Sequence, residues 1–136
     1  MTSIIKVDEI QNKAGTTTLD AGKLPNMYSG SSKAWCCWKG DGTAAIRKSH
    51  GVSSLTDNGA GDYTFAYTSN FDSSDYTVAG SFAFSSAITN YVYNVQPKQN
   101  SDVTASSSRL ITVFSGASSG VADYPYAAFE TQGDLA

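Results

Sequence analysis

The sequence predicts an all-β protein whose main part is an antiparallel, jelly-roll-like β-sandwich. Ser, Thr and Gly account for 45 of the 136 residues, whereas Leu occurs only five times. Tyr is plentiful, with eight residues, and apolar residues alternate with polar ones in several short runs. This abundance of turn-forming, β-branched and aromatic residues favours strands and tight turns over helices.

The first 32 residues differ from the rest of the chain and predict a strand-forming arm followed by a linker. Ile5, Val7 and Ile10 mark one short strand within 3–10, and 16–19 marks a second. Two short strands bury too little apolar surface to be stable alone. We therefore expect an assembly arm that uses Ile5, Val7 and Ile10 for contact; the alternative is a disordered leader.

Residues 33–136 carry a regular strand pattern and predict the sandwich head. In 63–68 the aromatic residues Tyr63, Phe65 and Tyr67 recur with a period of two, as expected for a half-buried strand. The glycine-containing run 57–62 before them predicts a hairpin loop. Strands are predicted at 34–38, 43–48, 50–55, 63–68, 76–84, 91–95, 110–114 and 124–131.

The strand predicted at 34–38 is apolar on both faces. Ala34, Cys36 and Trp38 share one face, and Trp35 and Cys37 share the other. A strand of this kind is usually covered on both sides. We expect Cys36 to be a reduced core thiol and Trp35 to be covered either by the sandwich or by a neighbouring subunit, which makes Trp35 a candidate assembly residue.

Charge and hydropathy exclude several classes of partner. The formal net charge is −3, and the basic residues are scattered along the chain. Nucleic-acid binding needs clustered Lys and Arg, so we expect no nucleic-acid partner. The N-terminus lacks the pattern of a signal peptide, and no apolar run reaches the length of a membrane span. We expect a protein made in the cytoplasm, without membrane insertion.

The sequence offers no convincing catalytic or metal-binding constellation. His50 is the single histidine and could combine with a serine and Asp57 or Asp62, but no nucleophile-elbow motif accompanies it. The run 57–62 resembles part of a calcium loop without its downstream bidentate Glu, and Asn-Gly favours a hairpin turn. We predict no catalytic residue, no metal and no cofactor.

Four tyrosines are the candidate ligand-binding residues. Tyr91 and Tyr93 form one i, i+2 pair, and Tyr124 and Tyr126 form another. Members of such a pair share a face when they lie on a strand, so each pair could offer a stacking platform for a sugar ring. The alternative places these aromatic side chains in the core or at a subunit interface.

One long segment and several short ones resemble a known family. The matching stretches are Lys33-Ala34-Trp35, Gly40-Asp41-Gly42-Thr43, Ala45-Ile46-Arg47, 52–59, Gly61-Asp62-Tyr63, the arm segments 5–8, 10–12 and 14–16, Gly80, and Arg109-Leu110-Ile111-Thr112. Through them the segment 33–68 in particular is similar to small structural virion proteins of marine bacteriophages, cyanophages included. The chain departs from their pattern at Cys36-Cys37-Trp38, and the loops after Asn70 and Ser85 also differ.

The resemblance implies a virion component. We predict a non-enzymatic, tail-fibre-like or adhesin-like module that attaches to a host surface. Residues 1–30 would then dock onto other virion proteins, and the head would form a homotrimer. Its loops 70–75, 85–90 and 115–123 would meet a host glycan or protein, because recognition usually lies in variable loops on a fixed scaffold. The alternative is a capsid decoration protein that stabilises or coats the shell.

Overall fold

The computed structural model describes residues 9–11, 18–20, 31–83, 92–116 and 119–136. The chain divides into two compact units, Met1–Ser31 and Ser32–Ala136. In the described ranges no helix is long and apolar enough to cross a membrane.

The first unit contains an antiparallel pair of short strands. Strand β1 spans Glu9–Gln11 and strand β2 spans Thr18–Asp20, with Ile10 opposite Leu19. Both strands fall within or beside the stretches expected for the arm. Ile5 and Val7 lie outside the described residues, so their predicted role in assembly stays a prediction.

The second unit is a double-layered antiparallel sandwich, which confirms the predicted fold class. The four-stranded sheet has the order β4-β3-β12-β7, and the six-stranded sheet is built around β10, which pairs with β6, β8, β9 and β11. The strands are β3 Ser32–Lys39, β4 Ala45–His50, β5 Val52–Gly59, β6 Asp62–Tyr67, β7 Thr77–Ala83, β8 Val92–Pro97, β9 Val103–Thr104, β10 Ser107–Ser115, β11 Ser119–Val121 and β12 Tyr126–Gln132.

Long connections bring distant parts of the chain side by side. The first strand of the head, β3, pairs with the last, β12, so that Cys36 lies opposite Phe129. Strand β10 uses both of its edges: Leu110 lies opposite Tyr63 of β6 on one side and Pro97 of β8 on the other. A short 3₁₀ helix, Asn100–Asp102, joins β8 to β9.

The core between the sheets is mainly aromatic. Trp38 is fully buried and packs edge-on against Phe65 with ring centroids 4.8 Å apart, and Phe65 lies 4.7 Å from the ring of Phe129. Tyr63 and Tyr67 are also buried, as the alternating pattern of β6 predicts. The predicted inward face of β3, with Cys36 and Trp38 buried, is confirmed.

Two details of the fold differ from the predicted pattern. Phe71 lies in a predicted polar loop, yet it is buried, stacks on Tyr76 at 4.1 Å and forms a bridge to Leu135 near the C-terminus. Burying this aromatic ring fastens the loop 70–75 to the sandwich. The predicted loop 115–123 contains β11, because Ser119, Gly120 and Val121 pair with the end of β10.

Candidate functional site on the outer face of the four-stranded sheet

A cross-strand row centred on Trp35 crosses the outer face of the four-stranded sheet. Trp35 lies opposite His50 of β4 on one side and opposite Glu130 of β12 on the other. Glu130 in turn lies opposite Ala79 of β7. Residues directly opposite each other project to the same side with their Cβ atoms about 5 Å apart. Trp35, which is half-buried, is therefore flanked by an imidazole and a carboxylate.

The next row along the sheet consists mostly of small side chains. Cys37 lies opposite Lys48 and Ala128, and Ala128 lies opposite Ser81. Between Trp35 and this row is an open groove of about 430 Å³, lined by Trp35, Cys37, Ala79, Gly80, Ser81, Ala128, Phe129 and Glu130.

Four polar side chains of the two rows are unpaired in the described part of the chain, and two of them, Glu130 and Ser81, line the groove. The side chains of Glu130, His50, Lys48 and Ser81 make no hydrogen bond or ion pair with any residue that the structure describes. Glu130, His50, Lys48 and Ser81 are also exposed. The face therefore combines a partly exposed indole with donors and acceptors that water alone satisfies, which is the composition of a binding surface.

The two adjacent cysteines occupy different environments. Cys36 is fully buried, and burial, followed by the neighbouring Cys37, raises the pKa of its thiol to about 12. Cys37 is half-buried on the groove side, and its Sγ lies 3.5 Å from the hydroxyl of Tyr126. Both thiols are free. Cys36 is therefore a core residue, as expected, while Cys37 is accessible to reagents that enter the groove.

A second polar cluster, beside the six-stranded sheet, consists of Asp62 and the two cations that form ion pairs with it, Arg109 and Lys98. Arg109 donates two hydrogen bonds to Asp62, from Nε to Oδ1 and from Nη2 to Oδ2, and both are 2.8 Å long. Lys98 Nζ donates to Oδ2 at 2.7 Å. The hydrogen bond from Arg109 is the largest cause that lowers the pKa of Asp62 to about 2. Asp62 is nearly buried, and its charge is neutralised in place.

The hairpin beside Asp62 is fastened to the connection before β12. The Gly61 backbone N–H donates to Asp123 Oδ1 at 2.7 Å, and the Tyr63 hydroxyl donates to the same oxygen at 2.6 Å. Gly61 has φ of +65°, which favours glycine. Gly40 packs so closely on Tyr63 that an added Cβ would collide with the phenol. These contacts give Gly40, Gly61 and Tyr63 structural roles in the hairpin.

The tyrosine hypothesis needs correction at Tyr124. This residue lies just before β12 and is buried, with its ring stacked on Phe82 at 3.9 Å. Tyr93 is half-buried and packs edge-on against the same ring of Phe82. Tyr126 is 44% exposed. Tyr124 and Tyr126 therefore form no shared platform, because Pro125 separates a core position from a surface strand position. Tyr91 lies outside the described residues.

The acidic residues considered for catalysis or calcium binding, Asp57 and Asp62, form hydrogen bonds or ion pairs with nearby residues of the fold. Asp57 Oδ1 accepts a hydrogen bond from the Gly59 N–H at 2.9 Å, as expected for a turn aspartate. Asp62 is held by Arg109 and Lys98, whereas the cross-strand neighbour of His50 is Trp35. The described part of the chain holds no group of three or more His, Cys, Asp or Glu suited to a metal ion.

Sequence reasoning found Trp35 but missed the residues beside it. His50 and Glu130 are 80 positions apart in the chain, and only the strand register places both of them next to the indole. The available signal was the apolar outer face of β3, since Trp35 and Cys37 alternate with core residues.

Comparisons with models of protein families, with curated proteins and with solved structures find no match to this chain.

Proposed function

We propose that this protein is a non-enzymatic structural component of a bacteriophage particle, a tail-fibre-like or adhesin-like module that takes part in attachment to the host surface. The observation that carries the proposal is the row His50–Trp35–Glu130, a half-buried aromatic residue between polar side chains without partners among the described residues. A solvent-facing row of this composition suits recognition of another surface more than it suits stability.

The resemblance to virion proteins supports the same proposal, because several of the matching residues make contacts that hold the sandwich together. The shared residues Asp62 and Arg109 form the bidentate ion pair, and Gly61 and Tyr63 share Asp123 as acceptor. Gly80, also shared, lets β7 approach β8, because an added Cβ would lie 2.8 Å from Val95 Cβ. These shared residues thus stabilise the sandwich.

The small size of the first unit supports the proposal that residues 1–30 dock onto other virion proteins, while the head meets the host surface. Its described part is one pair of three-residue strands, β1 and β2. Such a pair gains stability by joining a larger assembly. We expect the full chain to form a homotrimer, because closed symmetry is usual for such assemblies. Light scattering of the full chain measures this state, and a monomeric mass at micromolar concentration would contradict it.

A capsid decoration protein is the second candidate function. The framework contacts suit a coat that must resist damage, since the Asp62 cluster and the Asp123 contacts tie separate strands together. The two candidates differ in where the chain lies on the particle and in how many copies are present.

Immunogold labelling of purified particles with antibodies against this chain tests the proposal. Label on the tail supports the attachment module, whereas dense label over the capsid supports decoration. Particles that carry neither label nor the chain, as judged by mass spectrometry of the same preparation, would overturn both functions.

A further inference from the structure

The Trp35 row has the chemistry of a sugar-binding site. A pyranose ring has an apolar face of C–H groups and a rim of hydroxyls, so it fits an aromatic ring that is flanked by hydrogen-bonding groups. Trp35 supplies the ring, while the Glu130 carboxylate accepts hydrogen bonds and the Ser81 hydroxyl can donate or accept them. None of these side-chain polar groups has a partner in the described part of the chain.

The groove beside Trp35 has room for such a ring. Its floor is made by the small side chains of Ala79 and Ala128, and Ser81 adds a hydroxyl at its margin. A volume of about 430 Å³ falls in the range of small-ligand sites. Larger side chains at Ala79 or Ala128 would fill the space next to the indole.

The size of the face argues against a protein as the occupant. Four strands about 4.8 Å apart and four outward rows about 6.8 Å apart cover roughly 500 Å². A stable protein interface buries about 800 Å² on each partner. The face is therefore small for a second copy of the chain, whereas one or two sugar rings would fill the groove.

We propose that the groove between Trp35 and the Ala79–Ala128 floor binds a neutral pyranose unit of a glycan. The sugar stacks on Trp35, and its hydroxyls bond to Glu130 and Ser81, the two polar side chains that line the groove. This inference rests on the proposed attachment function and names the class of receptor that the module recognises.

Titration of the full chain with neutral tetrasaccharides of glucose, galactose, mannose and N-acetylglucosamine tests the site. Binding is read by calorimetry and by acrylamide quenching of tryptophan fluorescence. Trp38 is 0% exposed, so quenching reports on Trp35. We expect at least one sugar to bind with saturation and to protect Trp35. No saturable binding by any of the four at about 10 mM, ten times a weak millimolar Kd, would overturn the site.

Variants then locate the binding. Trp35→Ala should weaken binding by at least about tenfold, which corresponds to about 1.4 kcal/mol, while Trp35→Phe should restore part of it. Ala128→Leu, which fills the floor, should abolish it. Val121→Ala is the control, because Val121 is an exposed apolar residue on β11 in the other sheet, outside the groove lining. Equal loss in Val121→Ala and Trp35→Ala would contradict the assignment.

Self-association provides a separate outcome. Protection of Trp35 that rises with protein concentration in the absence of sugar would assign the face to a second copy and overturn the glycan site. Attachment could still stand in that case. If the chain labels the tail and binds host cells with Trp35→Ala as well as the wild type does, the glycan site fails and the attachment function remains.

Discussion

Two regions of the sandwich are rich in polar groups: the cluster of Asp62, Arg109 and Lys98, called here the Asp62 corner, and the outer sheet face around Trp35, called the Trp35 face. In the first region the polar groups bind one another, whereas in the second they are exposed and unpaired among the described residues. At the Asp62 corner, Arg109 and Lys98 neutralise the carboxylate through three bonds of 2.7–2.8 Å. At the Trp35 face, Glu130 and His50 have no partner among the described residues. Satisfied groups fix the geometry of a fold, whereas unsatisfied exposed groups remain available to a ligand.

The sharpest test of this contrast uses the two tryptophans of β3, which lie three residues apart on opposite faces. Trp38→Ala should lower the free energy of unfolding by about 3–5 kcal/mol, because it leaves a cavity among Phe65, Tyr63 and Phe129. Trp35→Ala should lower it by less than about 1 kcal/mol. Urea unfolding followed by circular dichroism gives both values. Equal losses would mean that Trp35 is part of the framework.

The second test concerns charge at the Asp62 corner. Because the pKa of Asp62 is lowered from 3.8 to about 2, its ionised form contributes about 2 kcal/mol of stability near neutral pH. This contribution is present above the unfolded pKa near 4 and is lost as the pH falls toward 2. The stability difference between the wild type and Asp62→Asn should therefore shrink between about pH 5 and pH 2.

Asp57→Asn is the control for that experiment. Asp57 accepts a turn hydrogen bond that an asparagine side chain can also accept. Asp57→Asn therefore measures the effect of removing one carboxylate without breaking the ion pairs at Asp62. A flat stability difference for Asp62→Asn between about pH 5 and pH 2 would place the acid sensitivity elsewhere.

A smaller effect is expected at the hydroxyl of Tyr63. Tyr63→Phe removes the 2.6 Å hydrogen bond to Asp123, while the bond from Gly61 to the same oxygen remains. The cost should be about 1 kcal/mol, typical of one hydrogen bond. Asp123→Ala removes both bonds and should cost more. Thermal unfolding of the two variants ranks them, and the reverse order would show that Asp123 does not fasten this hairpin.

The smallest effect on stability is expected at the cysteines, where the contrast lies in reactivity. A thiol reagent such as iodoacetamide should modify Cys37 in the native protein and leave Cys36 unmodified until the chain unfolds. Cys36 is fully buried, and its pKa is raised to about 12. Peptide mass spectrometry identifies the labelled residue. Native labelling of Cys36 would indicate that this part of the core opens.

The local sequence pattern predicts those parts of the fold in which residues two positions apart lie on the same face of a strand. The alternation of Tyr63, Phe65 and Tyr67 gives the buried face of β6, and the same rule separates Trp35 from Trp38. The rule fails at Tyr124, because β12 begins only at Tyr126, after Pro125, so the period of two does not extend back to Tyr124.

The candidate site depends on pairings that no local pattern contains. Arg109 meets Asp62 from 47 positions away, and Glu130 reaches Trp35 only because the last strand returns beside the first. A shift of one residue in that register would turn Glu130 toward the core and Phe129 toward solvent. The sequence therefore indicates a half-buried tryptophan, while its polar neighbours require the structure.

The most direct test of the account compares binding and stability in one preparation of Trp35→Ala. Fluorescently labelled full-length wild type and variant are titrated onto cells of the host on which the particles are grown, and both proteins are unfolded in urea. We expect at least about tenfold weaker cell binding, with the unfolding free energy changed by less than about 1 kcal/mol. Unchanged cell binding, or a loss of binding matched by a loss of stability, would contradict it.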